Sequence, residues 1–350
     1  MPNDEVEETG ERSRFRDRAR RFWWTHRTLF WTLHSVWALA TGVLIILFAR
    51  DRYGFVPWVV LFLVLTWIST LFFSRKLVLD QEARGGPGFM EEATSYVTRT
   101  MYQETLFFLL PFYAYSTVVA SPNVVFTALL TGLAVVSCFD LQFDRWLRVS
   151  PVARLLFFAL VSFAAINLLL PILLRMDPTT GLHWAAGIGI VSAIPLALKG
   201  ERPSGRELAT VASFSLIFAS ITVGLPRLVP AVPLRVEDAV FTSDFDPLTF
   251  VAADTLAQGT SAAALSDGLY VLLHVFAPNV VPTEVTLEWR RDGELLRASR
   301  SIQITAHELG FRFWEAWKPE SGSVAPGRYR VVLKSRSQRI FGDESITIGR

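Results

Sequence analysis

Seven apolar blocks, each closed by charged or turn-forming residues, fill the chain from Thr28 to Leu225. They are Thr28–Ala49, Val56–Phe73, Thr105–Ala120, Val124–Phe139, Leu155–Leu174, Leu182–Leu198 and Leu208–Leu225. A bilayer demands about 20 predominantly apolar residues per crossing helix, and each block meets or approaches that length. The segregation carries this reading more than the 51% hydrophobic content does, because the charged residues are pushed to the block ends. The pattern predicts a membrane all-α bundle of about seven transmembrane helices.

The connections between blocks alternate in charge. The N-terminal tail (Arg12, Arg14, Arg16, Arg18, Arg20, Arg21), Arg75-Lys76 with Arg84, Arg145 with Arg148 and Arg154, and Lys199 with Arg202 and Arg206 fall on one side. The turns at Arg50-Asp51-Arg52, Ser121-Pro122-Asn123 and Arg175–Thr180 fall on the other. Basic loops stay in the cytoplasm, so the charge asymmetry predicts an N-terminus inside and a C-terminus outside. No small-residue cleavage site closes the first block, which reads as a retained anchor. In the longest cytoplasmic loop, Phe89, Met90, Ala93, Tyr96, Val97, Thr100 and Met101 recur at helical spacing, predicting an amphipathic surface helix near 89–101. Gly85-Gly86-Pro87-Gly88 breaks the chain before it and lacks the Gly-Lys-Ser/Thr of a phosphate loop.

Beyond Leu225 the composition changes. Pro226, Pro230 and Pro233 stiffen a short connection, and from Val236 to Trp289 there is no Lys or Arg while eight acids appear. Tyr270–Phe276 is a continuous apolar run suited to a buried strand. Val285, Leu287 and Trp289 alternate with polar residues, as do Ile302 and Ile304, Tyr329, Val331 and Leu333, and Ile346 and Ile348. Arg291-Asp292-Gly293 and Ala325-Pro326-Gly327-Arg328 are turn signals, the second suited to type II. A small antiparallel, immunoglobulin-like β-sandwich is expected. The chain thus divides into a basic tail at 1–27, a helical bundle at 28–228, a proline-rich linker at 229–233 and an outer β domain at 234–350.

Several motifs resemble those of a group of uncharacterised bacterial inner-membrane proteins with a C-terminal β-sandwich of unknown function. They are Gln103-Glu104-Thr105-Leu106-Phe107-Phe108 with Leu110-Pro111-Phe112, then Arg291-Asp292-Gly293, Gly310-Phe311-Arg312-x-Trp314, and Pro326-Gly327-x-Tyr329-Arg330-Val331. Glu315 stands where that group tends to serine, and Tyr329 where it tends to tryptophan. The resemblance implies a multi-pass protein of the bacterial cytoplasmic membrane with its C-terminal domain outside, in the periplasm if the cell has one. It implies no activity.

Among chemistry-bearing residues, Glu104 is the first candidate, because a carboxylate at the edge of a span is costly unless it finds a partner or water. The first turn of a helix would also favour it through the positive end of the dipole. Asp140 and Asp144, with Arg145, Arg148 and Arg154 nearby in sequence, are its expected company, as a cation, proton or lipid-phosphate site or as one structural ion-pair network. Pro111, Pro171 and Pro195 interrupt three helices, and Pro171 frees the carbonyl of Asn167. In the outer domain, Arg328, Arg330, Lys334 and Arg336 share one face of a strand, either as a binding surface or as a solvated face paired with Glu284 and Glu288. Trp314 and Trp317, with Trp289, are a ligand platform or core tryptophans.

The single cysteine, Cys138, excludes an intrachain disulfide, and the five histidines show no i, i+4 pair, so no metal or cofactor is expected. No hydrolase, zincin or dinucleotide fingerprint is present. The leading expectation is a membrane-anchored binding or scaffolding protein of the cell envelope. Its partners would be the lipid bilayer and an envelope protein, polymer or lipid head group, with no nucleic acid and with homo-oligomers left open. The alternative is a membrane enzyme or transporter handling a lipid or small solute at the inner face through Glu104 and Asp140.

Overall fold

The computed structural model describes residues 89–138, 151–174, 176–197, 204–265, 268–277, 283–304, 310–319 and 323–350. Isolated helical positions at 33, 36, 37, 40, 44, 61, 65 and 68 are described as well. The N-terminal tail, most of the first two predicted spans, the Gly85–Gly88 break and the Asp140–Arg148 stretch lie outside the described residues.

Five α-helices are described: α1 (Phe89–Tyr115), α2 (Val124–Cys138), α3 (Pro151–Leu174), α4 (Pro178–Ala197) and α5 (Gly205–Gly224). Local chemistry accounts for the starts of the last three. Pro151 and Pro178 open α3 and α4, where a missing N–H costs nothing. Asp177 caps α4, its Oδ2 accepting from the N–H groups of Thr179 at 2.8 Å and Thr180 at 3.2 Å. Ser204 and Glu207 form a capping box at the start of α5. The helices share one core, with Leu106, Leu109 and Tyr113 of α1 packed among Phe157, Phe158 and Phe163 of α3 and Leu182 and Ala185 of α4.

The expected bundle of seven transmembrane helices is not what these helices form. Among the described residues, only Leu155–Leu174 of α3 and Gly205–Gly224 of α5 are long and apolar enough to cross a membrane, and α2 is a shorter apolar helix. The expected surface helix near 89–101 and the span from Thr105 are one continuous helix, α1, which runs through Pro111. The physical reason is that block length and hydropathy measure apolarity without saying what it packs against. In α3, 72% of the apolar window is buried inside the protein, against 17% in α5.

The β region builds two facing sheets and a ribbon. β1 (Arg235–Thr242), β5 (Leu269–Phe276) and β9 (Phe311–Trp317) form an antiparallel sheet in the order β1-β5-β9. β4 (Thr260–Ser261), β11 (Ile340–Gly349), β10 (Gly327–Ser335), β6 (Thr283–Arg291) and β7 (Glu294–Ala298) form the second, with β8 (Ile302–Ile304) also on β6. β2 (Phe245–Asp246) and β3 (Val251–Ala252) make the ribbon. Val271, Leu273 and Val275 of β5 share one buried core with Leu287 and Trp289 of β6 and Tyr329, Val331 and Leu333 of β10. Asp292 (φ 50°) and Gly293 (φ 92°) form the tight β6–β7 turn, both positive as a type I′ hairpin requires. The immunoglobulin-like antiparallel expectation is corrected here too, because β4 joins β11 in parallel and makes the larger sheet mixed. Side-chain alternation reports which face of a strand is buried. It carries no information on the direction of the neighbour, and two-residue β4 has no alternation to read.

The connection at 229–234 is buried between the two regions. Val229 and Val232 belong to the helical core, while Ala231 and Leu234 belong to the β core. Arg339, in the β10–β11 turn and 1% exposed, closes this junction. Its Nε donates to Val229 O at 3.1 Å, its Nη1 to Pro178 O at 3.0 Å, and its Nη2 to Pro230 O. The same turn receives a bond from Asn123 Nδ2 to Ile340 O at 3.0 Å, and Thr179 Oγ1 meets Ser337 Oγ at 3.2 Å. Burial pushes the Arg339 guanidinium down to about 10, against the opposing fields of Tyr113 and Asp177, so it remains charged at neutral pH.

Replacing Arg339 with alanine strands three buried carbonyls, and we expect a loss on the order of 2–4 kcal/mol. Arg339→Lys should recover only part of this, since an ammonium cannot match the planar fork. Chemical unfolding of the full chain in mild detergent measures both, and unchanged stability in Arg339→Ala would remove the junction's importance.

Candidate binding face on the β module

The outward residues of the three-stranded sheet line up across its strands. Strand pairing sets Asp238 beside His274 and His274 beside Arg312, then Val240 beside Leu272 and Leu272 beside Trp314. On β5 the side chains alternate, with Leu269, Val271, Leu273 and Val275 buried and Tyr270, Leu272, His274 and Phe276 partly open on the other face. A recess of about 140 Å³ lies on this outer face, and Asp238, Val240, Phe250, Leu272, His274 and Arg312 are among the residues that line it. One wall is therefore apolar, and the other carries an acid, an imidazole and a guanidinium in a row.

Neighbouring elements hold the row. Glu237 Oε2 lies 3.3 Å from His274 Nδ1, and Glu237 Oε1 accepts from Tyr115 Oη at 2.9 Å at the end of α1. Arg235 lies over the same Tyr115 ring, 4.1 Å from its centroid, and Tyr115 meets Phe276 edge-on. On the far side His274 rests against Gly310, which has φ +81° and where a Cβ would come within 2.3 Å of Nε2. Only glycine fits there. Asp238 and Arg312 make no ion pair among the described residues.

Phe250 reaches the recess from the β2–β3 ribbon at a positive φ of 54°. That conformation is rare for a bulky residue and is held in place by its turn. Asp246 Oδ1 accepts from Leu248 N at 2.9 Å, Asp246 Oδ2 from Thr249 Oγ1 at 2.7 Å, and Asp246 O from Phe250 N at 2.9 Å. The first two of these bonds hold the Asp246 carboxyl below its ordinary value. At the ribbon tip Leu248 is 91% exposed and Val251 60%. Trp314 stays 38% exposed although Phe245 packs 4.5 Å from its ring.

The residues singled out in the sequence are scattered. Glu104 lies well inside α1, not in a first turn, and is exposed, while Asp140 and Asp144 lie outside the described residues. Its neighbour Gln103 is fully buried and donates through Nε2 to Ser137 O of α2. Asn167, noted for its proline, donates through Nδ2 to Tyr113 Oη at 2.9 Å, and Tyr113 donates to Ala164 O at 2.9 Å, tying α1 to α3. On β10, Lys334 Nζ binds Glu288 Oε1 at 2.6 Å and Arg330 binds Asp343, whereas Arg328 and Arg336 are exposed. Trp317 packs against Tyr329, with ring centroids 5.3 Å apart, while Trp314 faces outward beside the recess. Sequence reading missed Asp238, His274 and Phe250, because they meet only through strand register and a turn. The Gly310-Phe311-Arg312-x-Trp314 motif was the one signal pointing to this face.

Two helices long and apolar enough to cross a membrane, followed by a β-rich C-terminal region with an open mixed-polarity face, define the class of architecture among the described residues. Comparison with known families then assigns the chain. It belongs to DUF5924, a family of unknown function, whose model matches residues 13–271. The match covers all five described helices and ends within β5, short of the outer motifs at Arg291, Gly310 and Pro326. No curated protein matches the chain.

Burial alone would raise the Glu288 carboxyl, but the bonds and charges from Lys334 and Arg290 outweigh it and hold the group below its ordinary value. A depressed folded-state value stabilises the fold above the unfolded value and ceases to do so as pH falls through the folded one. Glu288→Gln should therefore lower the melting temperature near neutrality. The gap to the parent should close as pH falls from the ordinary carboxylate range through the lower folded-state value. A gap that widens on acidification would contradict the pairing.

Proposed function

We propose that this protein is a membrane-anchored binding protein of the bacterial cell envelope, whose β module lies outside the cytoplasm and engages an envelope protein through the outer face of β1, β5 and β9. The observation that carries the reading is the set of exposed apolar residues Leu248, Phe250, Val251 and Trp314 beside a recess with one apolar and one charged wall. Clustered apolar side chains rimmed by polar ones mark interaction sites, and tryptophan anchors are enriched at their centres. Membrane anchoring is supported by α5, whose Leu216, Ile217, Ile221 and Val223 are exposed on a helix apolar enough to cross a bilayer. The outward placement of the module rests on Lys199, Arg202 and Arg206 at the start of α5, since basic flanks stay in the cytoplasm.

Two measurements test this. Alkaline phosphatase fused after Arg350 should be active, and a fluorescent protein that fails to fold after export should be dark there. The reverse pair would overturn the outward placement. A photo-crosslinking side chain at Leu248 in the full chain in cells should then yield one discrete adduct with an envelope protein. Val251→Glu should reduce that adduct at least about tenfold without shifting thermal unfolding, because Val251 is already exposed. An adduct indifferent to Val251→Glu and Trp314→Ala would show that this face is not the docking surface.

A further inference from the structure

The recess beneath Phe250 has a wall that a flat protein surface would not fill. Three strands bring Asp238, His274 and Arg312 side by side on one face, and all three line the cavity. Adjacent strands lie about 4.8 Å apart, so the acid and the guanidinium stand roughly 10 Å apart at the backbone with the imidazole between them. Neither outer charge has an ion-pair partner among the described residues, so each is available to a ligand. His274 is held by Glu237 on one side and Gly310 on the other. Val240, Leu272 and Phe250 supply the apolar wall.

We propose that this recess binds a small zwitterion, an α-amino acid with a short apolar side chain. The site's two charges have opposite sign and line one recess, and with a hydrogen bond of about 2.9 Å at each end a ligand carrying an ammonium and a carboxylate on one carbon bridges side chains that enter the recess from backbones roughly 10 Å apart. Arg312 takes the carboxylate, in the planar geometry that guanidinium and carboxylate share. Asp238 takes the ammonium. The side chain of the ligand lies against Phe250, Val240 and Leu272. Size agrees with this class, because about 140 Å³ is close to the ~150 Å³ that holds one benzene ring and well below a drug-sized pocket. The strained φ of Phe250 has a role in this reading, since it turns the ring into the cavity to close its apolar side.

The proposal rests on the reading that this face is the binding face of the module, and the test separates the two. Free leucine is added to the full chain in detergent micelles and followed by saturation-transfer NMR. Two analogues are run beside it: leucinamide, which lacks the carboxylate, and 4-methylpentanoate, which lacks the ammonium. Leucine should bind at least about tenfold more tightly than either analogue. Arg312→Ala and Asp238→Asn, both at exposed positions, should each weaken leucine about tenfold or more while leaving thermal unfolding unchanged. Absence of leucine binding to the folded chain, or equal binding of all three probes, would overturn the ligand class. If the Leu248 adduct persists in that case, the docking face stands without this ligand. If the adduct is lost as well, the reading of the face falls with it.

Discussion

A buried arginine with no ion pair among the described residues holds the two regions of this protein together. Taking a guanidinium out of water is expensive, and the cost is met here by backbone carbonyls from three places: Pro178 at the start of α4, and Val229 and Pro230 in the connection. Those carbonyls would themselves be stranded acceptors without it, so each group compensates the other. The consequence is geometric. The β10–β11 turn, the entrance to α4 and the connection are oriented together, and a binding event on the β sheet faces helices whose position relative to it is set.

A second contact runs from the helices toward the recess. Tyr115 at the end of α1 bonds Glu237, and Glu237 lies beside His274 on the recess wall. Two residues further along β5, Phe276 meets the same tyrosine edge-on. The row Asp238–His274–Arg312 therefore lies about 7 Å along the strand from the helix end, at roughly 3.3 Å per residue. A ligand that repositions His274 acts on a carboxylate already bonded to α1. The most polar part of the β face is the part nearest to the helices.

The helical region shows how apolarity divides between packing and exposure. Gln103 and Asn167 are buried polar residues that join α1 to α2 and to α3. Their bonds give the bundle specificity that leucine and phenylalanine contacts lack, since a bond requires one partner at one distance. α3 uses its apolar surface on its neighbours, and α5 leaves most of its own uncovered. Two helices that both pass for membrane spans by length and apolarity thus bury very different shares of their surface.

Much of this was legible in the chain, and the limit has a physical cause. The positions of α2 to α5 followed from apolar blocks bounded by prolines, caps and charges, and the Asp292-Gly293 turn followed from the φ values those residues tolerate. The alternation of β6 and β10 announced their buried faces. These are local properties, decided within a few residues by backbone sterics and by the periods of helix and strand. Seven spans could not be inferred from them, because an apolar helix reads the same whether lipid or protein covers it. Nor could the direction of β4, the buried course of residues 229–234, or the fate of Arg339, which the sequence shows only as one arginine in a polar turn. The recess lay furthest from view. Asp238, His274 and Arg312 are far apart in the chain, and only strand register sets them side by side. The sequence by itself marked α2 to α5 and the strands β5, β6, β8, β10 and β11, because their apolar periods are local; the tertiary structure decided that β1 and β9 flank β5, which charges are buried and which stand in one row, because those depend on neighbours that local propensity cannot see.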